Sequence, residues 1–125
     1  MRHLTLEAYQ WKARKTAVFP PEQAIPYLAL GLNGEAGEVA EILKKVIRGK
    51  RDLPSQRDAL ISELGDVLWY VALLADQLGV NLTDVAARNL EKLEALQEEG
   101  RVADKRDPGP GASKRRGALT GEDPW

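Results

Sequence analysis

The chain has 125 residues, 43% apolar and 30% charged, with a formal net charge of −1 and no cysteine. That size and mix suit one globular domain. A charge near zero gives no global field to attract a nucleic-acid polymer or a membrane surface, and the lack of cysteine excludes disulfides and thiolate metal sites. The opening residues, MRHLTLEAYQ, contain no apolar signal core. The longest strongly apolar run, Val67 to Ala75, is nine residues, whereas a membrane-spanning helix needs about 20. The expectation is a cytoplasmic protein with no membrane partner.

Apolar residues recur at spacings of three and four, and strand patterns are missing, so the fold class is all-α. A first helix is expected over Thr5 to Val18, stopped by Pro20-Pro21. A second starts near Pro26, where proline suits a first turn, and runs to Arg48. GKRDLPS is the loop, with Ser55 capping a third helix that lasts to Leu78 and is ended by Gly79. Asn81 caps a fourth, with Asp84 in its first turn and Gly100 closing it. Residues 101–125 carry six Lys/Arg and four Asp/Glu, net +2, while residues 1–100 carry twelve and fifteen, net −3. The expected division is therefore an all-α domain over 1–100 and a Gly/Pro-rich basic tail over 101–125.

The second helix has a seam of Leu28, Leu32, Glu35, Val39, Ile42 and Val46, so a carboxylate stands where an apolar residue belongs. The third has Leu60, Leu64, Val67, Val71, Leu74 and Leu78, bordered by Glu63, with Asp66 and Tyr70 next and Trp69 and Leu73 on the far side. A helix apolar on nearly every face must be covered on nearly every face. A four-helix bundle-like protomer that oligomerises through the third helix follows, as a homodimer or homotetramer.

Glu35 and Glu38 are three apart, as are Glu63 and Asp66, so each pair projects from one side of its helix. If two facing helices bring the pairs together, each like-charge contact at about 4 Å costs roughly 4 kcal/mol at an effective dielectric near 20. A cation or raised pKa values must relieve this. Hard divalent cations favour oxygen ligands, and the single histidine, His3, lies near the N-terminus. Mg2+ is the expected cofactor, with Mn2+ as a substitute. An isolated Glu-x-x-Glu pair is ordinarily a solvated face; here Glu35 lies in a seam. Gly31, Gly34 and Gly37 cost the helix about 1 kcal/mol each relative to alanine. They fit either a close approach of metal and ligand or tight helix packing alone.

GLNGEAGEVAEILKK, then ELGDVLWYVALLADQLGV, then NLEKL, with YQWKARKTA near the start, resemble the MazG-like nucleotide pyrophosphohydrolases over residues 6–97. The resemblance implies an oligomeric all-α, Mg2+-dependent hydrolase. Such enzymes cut nucleoside triphosphates between the α and β phosphates, giving a monophosphate and pyrophosphate. It implies Glu35, Glu38, Glu63 and Asp66 as metal ligands; one of them, Glu38 or Glu35, could instead hold the attacking water and take its proton. It also implies that Asn89 and Lys92 contact the nucleotide. Many relatives have an acidic residue where this chain has Gly34, a departure that bears on the number of metal ions. Lys45 is a further candidate for phosphate, and Gln10 and Trp11 for the base or sugar. Competing readings are a relative specific for dUTP, dCTP or phosphoribosyl-ATP, and a non-enzymatic helical oligomer that binds a partner.

Overall fold

The computed structural model describes residues 3–100. Among these residues every regular element is helical: α1 (Leu6–Arg14), a 3-10 turn (Pro21–Gln23), α2 (Ala24–Ile47), α3 (Leu53–Gln77) and α4 (Leu82–Glu98). No helix among them is long and apolar enough to cross a membrane. The tail expected over 101–125 lies outside the described residues. The chain divides into two compact units, Met1–Ala87 and Arg88–Trp125.

Thr5 caps α1, its hydroxyl accepting the Ala8 amide at 3.1 Å. The helix stops at Arg14, short of the expected Val18. Thr16 explains the early stop: its amide and its hydroxyl both donate to the Ala13 carbonyl, which tightens the last turn. The Thr16 hydroxyl also accepts Trp69 Nε1 at 2.8 Å, pinning this corner to α3. Helix α2 begins earlier than expected, at Ala24, and Pro26 falls in its first turn.

Asp52, not Ser55, caps α3. Its backbone is extended, and its carboxylate accepts the Ser55 amide at 2.7 Å. The Ser55 hydroxyl returns to the Asp52 carbonyl at 2.9 Å. Pro54 sits in the first turn, where an absent amide costs nothing, so the helix can start ahead of it. At the other end Gly79 takes φ +70°, the left-handed conformation that closes a helix.

Helices α2 and α3 form an antiparallel hairpin across residues 48–52. The inward face of α2 is the expected seam: Leu28 is fully buried and the other five residues are half-buried, while Leu30, Leu43 and Ile47 are exposed. The inward face of α3 differs from expectation. Leu64 and Leu78 are exposed, and Leu60, Glu63, Val67, Tyr70 and Leu74 are half-buried. Trp69 and Leu73, expected on a far side awaiting cover, are covered within the chain by α1. Leu73 forms a core with Ala13 and Leu28, and Tyr9, Phe19, Trp69 and Tyr70 pack around it. Ile61, Leu64 and Leu68, at spacings of three and four, remain exposed on α3.

Two polar links seat α1. Arg14 forms a two-pronged ion pair with Asp76, Nε donating to Oδ2 at 3.0 Å and the second prong running to Oδ1. Gln10 is 3% exposed, the one buried polar residue of the described core. Its amide nitrogen donates to the Ala72 and Val80 carbonyls at 3.1 Å, and its oxygen accepts the Leu82 amide at 2.9 Å. The first amide of α4 is thus held by a side chain of α1, while the Asn81 carbonyl receives the Asp84 and Val85 amides.

Candidate metal centre

The antiparallel hairpin brings Glu35 of α2 against Glu63 and Asp66 of α3. One carboxylate oxygen from each lies within 4.8 Å of the others. Glu35 and Glu63 are half-buried and Asp66 is exposed, so the cluster opens to solvent on one side. Glu38, expected as the fourth member, is exposed and stands outside this group. Three residues after Glu35, it is rotated off the inward seam, which Val39 continues.

Electrostatics mark Glu35 as the strained member. Burial pushes its pKa up, and the charges of Asp66 and Glu63, a hydrogen bond with Glu63, and the charge of Glu38 push it the same way. A like-charged trio at this spacing favours a proton or a cation between its members. Three oxygen donors, no nitrogen or sulfur and an open side fit a hard divalent ion that keeps some of its water.

Two tyrosines border the cluster, a role their place in the sequence did not reveal. Burial raises the pKa of Tyr70, as do the nearby Tyr27, Glu35 and Asp66; Tyr9 is raised by burial and by Asp66. Both remain neutral phenols facing carboxylates. The Tyr70 ring also explains one glycine. A Cβ on Gly31 would stand 2.8 Å from Tyr70 Cδ1 and nearer still to Cε1 and Cζ, whereas at Gly34 and Gly37 it would meet nothing within 4 Å. Tight packing therefore accounts for Gly31, and for neither of the other two.

The MazG nucleotide pyrophosphohydrolase domain matches residues 23–99. The chain belongs to the MazG family. The Gene 37 protein of Mycobacterium phage L5 is 44% identical over 103 residues, covering 76% of this chain and 90% of that protein. The uncharacterized protein YvdC of Bacillus subtilis (strain 168) is 39% identical over 77 residues, covering 54% of this chain and 72% of that protein. No solved structure matches. The family match spans α2 and α3 and therefore every member of the acidic cluster; α1 precedes it.

Of the other expected contacts of this MazG-family chain, Gln10 and Trp11 stand on α1 and Lys45 on α2, all in the first unit. Gln10 is buried with both amide atoms committed to backbone partners. Trp11 is 53% exposed, and the Lys15 ammonium lies 3.3 Å from its ring centroid. A base stacking there would have to displace that cation. Trp11 lines an open groove of about 570 Å³ with Thr5, Arg14 and Asn81, and none of the three clustered carboxylates lines it. Lys45 is exposed in the last turn of α2, in a basic group with Lys44 and Arg48. A hydrogen bond from Lys44, joined by the charges of all three, lowers the Glu41 pKa against a smaller opposing burial effect. Asn89 and Lys92 are exposed on the part of α4 that belongs to the second unit.

Proposed function

We propose that this chain is a Mg2+-dependent nucleoside triphosphate pyrophosphohydrolase that cleaves between the α and β phosphates, releasing a nucleoside monophosphate and pyrophosphate. The observation that carries the reading is the convergence of Glu35, Glu63 and Asp66 from two helices, with oxygens within 4.8 Å, in a chain of the MazG family. Glu35, Glu63 and Asp66 hold the ion, for which Mn2+ can substitute. A divalent ion held there would neutralise phosphate oxygens and acidify water. Glu38, solvent-facing and one turn from Glu35, accepts the proton of the attacking water. Lys45 draws in the polyphosphate, and Asn89, Lys92 and Trp11 contact the nucleotide. Free nucleotides in the cytoplasm, rather than nucleic-acid polymers, are the substrates.

The same reading includes a homodimer or homotetramer. Ile61, Leu64 and Leu68 form an exposed apolar stripe on α3, and burying it against a second copy completes the cover that α1 begins. Sedimentation with Leu64→Asp tests this: a dimer or tetramer that falls to monomer supports the interface, and a wild-type monomer refutes it.

The decisive assay incubates the chain with a panel of nucleoside triphosphates and Mg2+ and separates the products. Monophosphate plus pyrophosphate, abolished by a chelator, is expected. Diphosphate plus phosphate would refute the bond assignment, and the panel separates a general enzyme from one restricted to dUTP, dCTP or phosphoribosyl-ATP. No turnover on any member would favour a non-enzymatic helical oligomer.

A further inference from the structure

We infer that the Gly31–Tyr70 contact sets the gap between α2 and α3 at the acidic cluster, making Tyr70 a positioning residue for the metal ligands. The inference rests on the reading that Glu35, Glu63 and Asp66 hold a divalent cation.

Register supports it first. Gly31 stands one helical turn before Glu35, and Tyr70 stands one turn after Asp66 and two after Glu63. The contact and the cluster therefore share one face of each helix and adjoin along the hairpin. Closeness is the second support. At 2.8 Å and less, the space over Gly31 is too small for a methyl group, since ordinary contact begins at 3.4 Å. The ring thus rests against bare backbone and fixes how closely α2 can approach. Bracing is the third. Trp69 meets Tyr70 edge-on with centroids 4.9 Å apart, and Tyr70 packs against the Ala13, Leu28 and Leu73 core. A ring in contact with both does not swing aside readily. Adding a methyl at position 31 therefore parts the helices by more than half an ångström, the difference between 2.8 and 3.4 Å. Mg2+ demands near-ideal ligand distances of about 2.0–2.1 Å, so ligands from opposite helices are sensitive to a shift of that size. Gly34 and Gly37 have no such neighbour, which singles out position 31.

The test is Mn2+ binding followed by electron paramagnetic resonance, with circular dichroism melting to confirm folding. Gly31→Ala should weaken Mn2+ binding about 10-fold, while Gly34→Ala, the same change where a Cβ meets nothing, should leave it unchanged. Adding Tyr70→Leu to Gly31→Ala should restore most of the affinity, because the shorter side chain makes room for the methyl. Full affinity in Gly31→Ala would show that the ring yields instead of the helices and would overturn the inference. Equal loss in Gly34→Ala would also overturn it. If Gly31→Ala does not fold, Tyr70→Leu alone is compared with the double variant. Tighter binding by the double variant supports the spacer, and equal or weaker binding refutes it. Wild-type protein that binds no Mn2+ would refute the metal reading itself, a result distinct from the others.

Discussion

Gln10 and the Glu35–Glu63–Asp66 cluster are both polar constellations set among packed helices, and they are resolved in opposite ways. Gln10 is neutral, nearly sealed from solvent, and spends its amide on three backbone groups. The carboxylates are partly open to water and repel one another, and burial and like charge raise the Glu35 pKa. A polar group whose needs the chain meets in full is architecture. A group whose like charges the chain leaves uncompensated, at a helix–helix junction, is where the proposed ion would bind.

Substitutions should separate the two sharply. The largest effect is expected for Glu35→Gln: turnover should fall about 100-fold or more, while the metal-free protein is no less stable, since one like charge is gone. A metal-free form that melts well below wild type would break the contrast. Gln10→Leu should do the reverse to stability, costing about 3 kcal/mol in urea denaturation, from three lost hydrogen bonds at about 1 kcal/mol each. Saturating Mg2+ at one hundred times its dissociation constant should stabilise wild type by about 2.7 kcal/mol and leave Glu35→Gln nearly unmoved. Trp69→Phe, which removes the bond to Thr16 and trims the ring that meets Tyr70, should cost about 1–2 kcal/mol.

The smallest effect is the pH dependence. A carboxyl whose folded pKa is raised binds its proton more readily in the folded state. Its contribution to stability is therefore full below the ordinary glutamate value of about 4.3 and is lost as pH rises through the raised folded value. The metal-free melting temperature of wild type minus that of Glu35→Gln should accordingly decline with rising pH in that window. With Mg2+ present the ion and the proton compete for Glu35, so the stabilisation by Mg2+ should shrink as pH falls. A flat difference would remove Glu35 from the strained group.

Much of this was legible from residue spacing. The α2 seam at Leu28, Leu32, Glu35, Val39, Ile42 and Val46 is the buried face, because a 3.6-residue period and a long helix leave little freedom. Facing carboxylate pairs at i, i+3 pointed to the cluster for the same reason. Local competition hid other features. Asp52 and Ser55 both make good caps, and only the tolerance of Pro54 inside the first turn decides for Asp52. Tertiary pairing hid more. Nothing local tells that α1 covers Trp69 and Leu73, that Gln10 reaches the start of α4, or that Tyr70 lies against Gly31 and beside Glu35. Those contacts span 35 to 72 residues of sequence. Glu38 shows the limit of periodicity: it lies on the side of Glu35, yet the seam passes on to Val39 and leaves Glu38 exposed.

The bond from the Leu82 amide to the Gln10 side chain gives the molecule a natural reporter. That hydrogen exchanges with solvent when the Gln10 bond opens, as it does when the first helix lifts off. Its exchange rate in heavy water, read as a single nuclear magnetic resonance peak, therefore measures how often the N-terminal segment unclasps without any label being attached.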